Sequence, residues 1–300
     1  MHNNGYSHAD WTIDGSDVRD DDSFASLRKA AEQGDIDAQY KLGNCYYNGN
    51  GVSEDKAEAV KWYRKAAEQG NVDAQYSLGN CYSNGYGVHK RYMEAAKWYR
   101  MAAEKGNTEA QCALANCYCR GIGVKKDVTK GIKLYHQAAK LHNAHAQCTL
   151  GCFYSYGMYV DKDYAKAVEL YRQAAEQGDA NGQCLLGECY RRGEGVKKNC
   201  AEAVKWYRKA VAQRDARGQF LLGECYENGE GVNKDYAEAV KWYRKAAAQG
   251  DAYGQCSLGD CYYNGKGVDK DEAEAIRWYR KAADQGYWEA KLKLESLHEA

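Results

Sequence analysis

Asp37-Ala38-Gln39-Tyr40-Lys41-Leu42-Gly43-Asn44-Cys45-Tyr46, a loop carrying Gly49 and Gly51-Val52, then Ala59-Val60-Lys61-Trp62-Tyr63-Arg64-Lys65-Ala66-Ala67 and Gly70 make up one unit of text. The same text returns at Asp73, 36 residues after Asp37, and less closely from positions 109, 145, 181, 217 and 253, with no insertion or deletion. A fixed period of this size marks a repeat architecture, in which each unit buries its apolar face only by stacking on its neighbours.

The periodicity inside a unit is helical twice over. Ala38, Leu42, Cys45 and Tyr46 form one stripe, and Ala59, Trp62, Tyr63, Ala66 and Ala67 follow the i, i+3, i+4, i+7 spacing of a second. Gly49 and Gly51 stand where the first helix must end in a left-handed or crowded turn. Asp55 offers an N-cap for the second helix, and Gly70 stops it. Small residues at Ala38 and Gly43 and their equivalents mark close helix approach. The large fillers between them are the tyrosines at 46, 82, 118, 154, 190, 226 and 262. Burying one such aromatic contributes on the order of 2 kcal/mol, which makes this ladder the expected main source of stability.

Flanking the seven units over 37–288 are a polar leader at 1–22 ending in Asp20-Asp21-Asp22, a capping half-repeat at 23–36, and a closing helix at 289–300. Half-units are the expected caps, because the terminal faces of a stack meet water. The leader reads as flexible and has no basic segment followed by an apolar core, which argues against a secretory signal and for the cytoplasm. Lys and Arg total 42 and Asp and Glu total 42, a balance that excludes bulk attraction to nucleic acid or anionic membrane. No apolar run is long enough to span a bilayer, and the absence of proline suits a chain of helices with glycine turns.

The pattern Ala-x3-Leu-Gly-x2-Tyr-x2-Gly-x-Gly-Val followed by Ala-x2-Trp-Tyr-x2-Ala-Ala-x2-Gly resembles the Sel-one-like repeat family, a relative of the tetratricopeptide repeat. The resemblance covers about residues 23–300. It implies an all-α, right-handed α/α superhelical solenoid whose concave groove, lined by first helices, serves as an adaptor for a protein or peptide partner. It implies no catalytic residues and no cofactor. One branch of the family is cysteine-rich and secreted, with disulfides between consecutive helices and a β-lactamase-like hydrolase activity ascribed to some members. The present chain departs from that branch: its thiols lie inside the first helices, while Ala67 and its equivalents end the second.

The 13 cysteines fall mostly in two registers, that of Cys45 and that of Cys112, the second exchanging with Tyr40, Tyr76 and Phe220. Exchange with aromatics on an apolar stripe reads as small buried hydrophobes. Cys112 and Cys117 lie about 140° apart round one helix and cannot pair with each other. The best case for a metal is His142-x2-His145-x2-Cys148, which lacks the tight paired spacing of zinc motifs. Gly-x-Gly-Val recurs at 49, 85, 121, 193, 229 and 265, after a helix each time, which is the wrong context for a phosphate loop.

A recognition surface should lie where the copies disagree. First-helix positions 44, 47 and 48 run from Asn44, Tyr47 and Asn48 through Cys119 and Arg120 to Asp260, Tyr263 and Asn264, passing from neutral to basic-aromatic to acidic. The third and fourth units lose the tryptophan (Leu134, Leu170), and Tyr159 replaces a loop glycine in the fourth. Asn84, Arg120, Tyr156, Met158, Tyr159, Glu188, Arg191, Arg192, Asn228 and Tyr263 are therefore the candidate partner-binding residues of a monomeric scaffold, aromatics and arginine being favoured anchors. Replacing Tyr156, Arg191 and Arg192 by alanine is expected to abolish capture without loss of stability. The uninterrupted row of Gln39, Gln75, Gln111, Gln147, Gln183, Gln219 and Gln255 either bonds across units or lines the groove. Arg64 and its equivalents read as a solvated face paired with acids such as Glu68. The alternative from another class is the cysteine-rich hydrolase or a thiol- or metal-binding protein.

Overall fold

The computed structural model describes residues 21–298, and every regular element among them is a helix. The leader read over 1–22 lies outside the described residues except for Asp21 and Asp22, which open the first helix. The chain divides after Leu134 into two units. In the first, α1 (Asp21–Glu32) is followed by the pairs α2 (Ile36–Asn48) with α3 (Lys56–Glu68) and α4 (Val72–Asn84) with α5 (Tyr92–Glu104), then α6 (Thr108–Arg120). The division falls within α7 (Val128–Lys140). The second unit pairs α8 (Ala144–Tyr156) with α9 (Tyr164–Glu176), α10 (Ala180–Arg192) with α11 (Cys200–Ala212), α12 (Ala216–Asn228) with α13 (Tyr236–Ala248), and α14 (Ala252–Asn264) with α15 (Glu272–Asp284), and ends in α16 (Trp288–His298). Each unit is a stack of antiparallel helix pairs, an α/α solenoid.

Caps written in the sequence set the boundaries. Asp35 accepts a hydrogen bond from the Ala38 N–H at the start of α2, and Asn71, Asn107, Asp179, Asp215 and Asp251 repeat this at later first helices. Gly49 closes α2 at φ 73° in the left-handed region that a side chain enters at a cost. Asp55 caps α3 by accepting from the N–H groups of Ala57 and Glu58.

The most deeply buried tyrosine of a pair is not the one the sequence singles out. Tyr63, Tyr99, Tyr171, Tyr207, Tyr243 and Tyr279 on the second helices are 0–4 % exposed, whereas in the ladder expected from the sequence Tyr82 and Tyr118 are 6 % exposed and Tyr46, Tyr154, Tyr190, Tyr226 and Tyr262 only half-buried. The reason is the glycine 20 residues earlier. A Cβ on Gly43 would lie 2.6 Å from the Tyr63 ring, and the same holds at 2.4–2.6 Å for Gly79, Gly151, Gly187, Gly223 and Gly259 against their tyrosines. The small position thus admits an aromatic ring close against the first helix.

The ladder at 82, 118, 190, 226 and 262 has a different task. Its hydroxyls accept hydrogen bonds from Arg64, Arg100, Arg172, Arg208 and Arg244 of the preceding second helix. The arginine row is therefore a set of ties between successive repeats, not a free face paired with Glu68. The glutamine row is architecture as well. All seven side chains are at most 7 % exposed, and the Nε2 groups of Gln39, Gln75, Gln111, Gln147, Gln183 and Gln255 donate to the carbonyl of the residue eight positions earlier.

Candidate functional site

The first-helix position of Asn44 meets the hydroxyl of the buried tyrosine. Asn44, Asn80 and Asp260 accept from Tyr63, Tyr99 and Tyr279 at 2.7–2.8 Å. Where Glu224 occupies that position, Glu227 one turn on accepts from Tyr243 at 2.7 Å. Variation here follows the partners inside the stack before it follows any ligand.

Of the ten candidate residues, Asn84 and Arg120 lie in the first unit, at the exposed last residues of α4 and α6. The Asn84 amide is turned back onto its own helix, donating to the Asn80 carbonyl at 3.0 Å. The other eight lie in the second unit. Asn228 is exposed at the end of α12, and Tyr263 on α14 is half-buried beneath the Lys270 ammonium, 5.4 Å from its ring centroid.

Glu188, Arg191 and Arg192 on α10 are engaged within the stack. Glu188 accepts from Arg192 at 3.3 Å and from Arg217 of the next repeat, and Arg191 reaches Glu224 at 3.1 Å and Glu230 at 3.6 Å. The Arg191 side chain is 16 % exposed. Burial lowers the pKa of its guanidinium, but Glu224 and Glu230 more than offset this and the net shift is upward. Burial pushes the Glu224 carboxyl up against the opposing pull of Arg191. Basic and acidic stretches that look like separate parts of a groove are in part each other's partners. Alanine at Arg191 would leave the part-buried Glu224 carboxylate without this partner, which argues against losing the residue at no cost to stability.

Tyr156, Met158 and Tyr159 form an exposed, largely apolar segment. They are 67, 45 and 48 % exposed on the loop closing α8. Tyr159 sits at φ 67°, where the equivalent residues are Gly51, Gly87, Gly123, Gly195, Gly231 and Gly267. A left-handed non-glycine residue costs about 1 kcal/mol or more. Its ring is held edge-on by Phe153 at 5.2 Å, which in turn meets Tyr135 at 5.7 Å. Phe153 stands where six other repeats have cysteine, so both members of the aromatic pair depart from the repeat together.

Cys119, counted among the variable surface positions, is 3 % exposed. Gly131 opens the space it fills: a Cβ there would lie 2.4 Å from the Cys119 Sγ. The thiols of Cys148 and Cys184 donate to Asp179 and Asp215, the N-cap carboxylates of the following repeats, at 3.4 and 3.3 Å. His142 and His145 are exposed while Cys148 is buried, and no group of three metal-ligating side chains gathers among the described residues.

An aromatic patch in the second unit was missed by sequence reasoning. Tyr253, 53 % exposed, lies 5.5 Å from Phe220 and 4.9 Å from Tyr287, with Trp288 and Leu292 exposed on α16. The signal was present in the row Asp37, Asp73, Glu109, His145, Asn181, Arg217, Tyr253, Glu289, whose one aromatic is Tyr253.

Comparison with known proteins places these features in a family. The model of the Sel1 repeat matches residues 27–35, 36–71, 72–107, 108–143, 144–179, 180–215, 216–251 and 252–287. A solved structure of c5321, a protective antigen of uropathogenic Escherichia coli strains with an SLR fold, is 38 % identical with a TM-score of 0.73 over 92 % of this chain. The chain spans 59 % of the length of that protein. A Sel1 repeat protein from Oxalobacter formigenes is 32 % identical with a TM-score of 0.68, over 94 % of this chain and 83 % of the other. Yeast Tom70, 15 % identical with a TM-score of 0.55, shares the fold alone. No curated protein matches the chain.

Proposed function

The chain belongs to the Sel1 repeat family, and we propose that it is a non-enzymatic scaffold that binds a protein or peptide partner on the first-helix side of its repeats. The observation that carries this reading is the exposed Tyr156, Met158 and Tyr159 segment, where a strained aromatic replaces a glycine and is braced by Phe153. Backbone strain and exposed aromatic surface together are costs that a folded state keeps where a surface is used. We place Asn84, Arg120, Asn228 and Tyr263 at the periphery of recognition, and assign Glu188, Arg191 and Arg192 to shaping the surface through their ion pairs. Equal numbers of acidic and basic residues support a protein partner over nucleic acid. No helix among the described residues is long and apolar enough to cross a membrane. The proposed form is a cytoplasmic monomer.

The test is affinity capture from a native lysate with the wild-type chain and the triple variant Tyr156→Ser, Met158→Ser, Tyr159→Gly. Glycine at 159 restores the residue of the other repeats, so the variant is expected to melt no lower than wild type while losing the captured protein. An unchanged set of captured proteins rules the segment out as the binding surface.

A further inference from the structure

An open groove of about 620 Å³ lies in the first unit beside α3, α4 and the loop joining α4 to α5. It is lined by Arg64, Tyr82, His89, Arg91 and the loop residues Gly85, Gly87 and Val88. No carboxylate lines it. Arg64 donates to the Tyr82 hydroxyl, which leaves the phenolic proton as a further donor, and Tyr82 itself is 6 % exposed. The side chains of His89 and Arg91 make no hydrogen bond or ion pair among the described residues.

Position 91 is what sets this groove apart. The equivalent residues are Asp55, Asp127, Asp163, Asn199, Asp235 and Asp271. In those repeats an acid or amide caps the second helix by accepting from its first N–H groups. Here its place is taken by a guanidinium that makes no capping bond. Relative to an aspartate, the local charge changes by two units, and two permanent cations line one groove with no carboxylate among the lining residues.

We propose that this groove binds a phosphate monoester, with Arg64 and Arg91 on its oxygens and His89 and the Tyr82 hydroxyl as further donors. Two guanidinium groups match the charge of a dianion, and their planar forks suit the paired oxygens of a phosphoryl group better than a point cation does. The phosphate is carried either by a phosphorylated side chain of a protein or by a small phosphorylated molecule, since both present the same group. The site is confined to the first unit and goes beyond the scaffold reading, which rests on the Tyr156 segment and can fail without it.

The experiment uses the full chain and three probes at constant ionic strength: a fluorescein-labelled pentapeptide with a central phosphoserine, its unphosphorylated twin, and O-phosphoserine. Wild type is expected to bind the phosphorylated probes and not the twin. Arg91→Asp restores the residue of the other repeats and their helix cap, so it should fold with an equal or higher melting temperature while weakening both phosphorylated probes at least tenfold. His89→Ser, the residue of the first repeat at Ser53, should weaken them about tenfold, the scale of one lost hydrogen bond to a charged group. A phosphopeptide binding more than tenfold tighter than O-phosphoserine assigns the phosphate to a protein, and equal binding assigns it to a small molecule. Binding that survives Arg91→Asp, that the twin shares, or that is missing for all three probes overturns the proposal.

Discussion

Lys105 is a single residue whose cost can be read from its neighbours. In most repeats a glutamine ends the second helix and donates across to the glutamine ladder, as Gln69 does to Gln39 at 2.7 Å, Gln177 to Gln147 at 2.7 Å and Gln249 to Gln219 at 2.8 Å. Lys105 takes this place opposite Gln75. Its ammonium turns instead to the Gly70 carbonyl at 2.8 Å, and the Gln75 Oε1, on a side chain 1 % exposed, has no hydrogen-bond partner. A buried acceptor left unpaired costs about 1–3 kcal/mol. Gln213 shows that glutamine can serve both needs, donating to Gln183 at 3.1 Å and to the Gly178 carbonyl at 2.8 Å. Lys105→Gln is therefore expected to stabilise the protein by about 1 kcal/mol, read as a higher midpoint in urea. A midpoint that stays or falls means that Gln75 is already satisfied by solvent.

Within a helix pair, the decisive contact is the tyrosine ring on the glycine. Tyr243 is fully buried and its hydroxyl is tied to Glu227, so the ring has no direction in which to yield when a methyl is placed on Gly223. Gly223→Ala is expected to destabilise by about 1–3 kcal/mol, the usual range of overpacking effects. Adding Tyr243→Leu should then cost less than the two single losses combined, because the clash disappears with the ring. Additive losses in that cycle would show that the glycine serves helix geometry alone. The same contact shows how far sequence carries. Caps, turns and the two apolar stripes are local patterns, and Gly49 and Asp55 act as their positions suggest. Both tyrosines of a unit lie on apolar stripes, and nothing local says which ring enters the 20-residue pairing with a glycine. Arg64 likewise has an acid four residues on, while its actual partner, Tyr82, lies 18 residues on across a repeat boundary. The candidate surface was legible only where a residue broke the repeat, as Tyr159 does. Position 188 looked equally variable, but its variation is answered by Arg192 and Arg217 inside the stack.

Across the whole molecule the thiols give a probe of every repeat. Five cysteines lie in the first unit and eight in the second, all as free thiols and all buried except the half-buried Cys45, Cys152 and Cys200. Burial pushes Cys117 up to about 11, and Cys81 and Cys189 up to about 12. It moves Cys112, Cys148 and Cys184 upward too. At pH 8 a thiol with a pKa near 11 is about one part in a thousand thiolate, the reactive form. Modification of the native protein should therefore wait on local opening, and in a repeat stack opening is governed by each repeat and its immediate neighbours. With an aromatic disulfide reagent at pH 8, no more than the three half-buried thiols should react within minutes, and all 13 should react in guanidinium without reductant. Peptide mapping of the slow phase would then rank the repeats by opening free energy, with residues near the ends of the array reacting before Cys184 and Cys225. Fewer than 13 thiols in guanidinium, or bound zinc in the purified protein, would instead support the cysteine-rich hydrolase or metal-binding alternative. Rapid labelling of Cys112 or Cys184 in the native state would contradict the packing of these thiols as small hydrophobes.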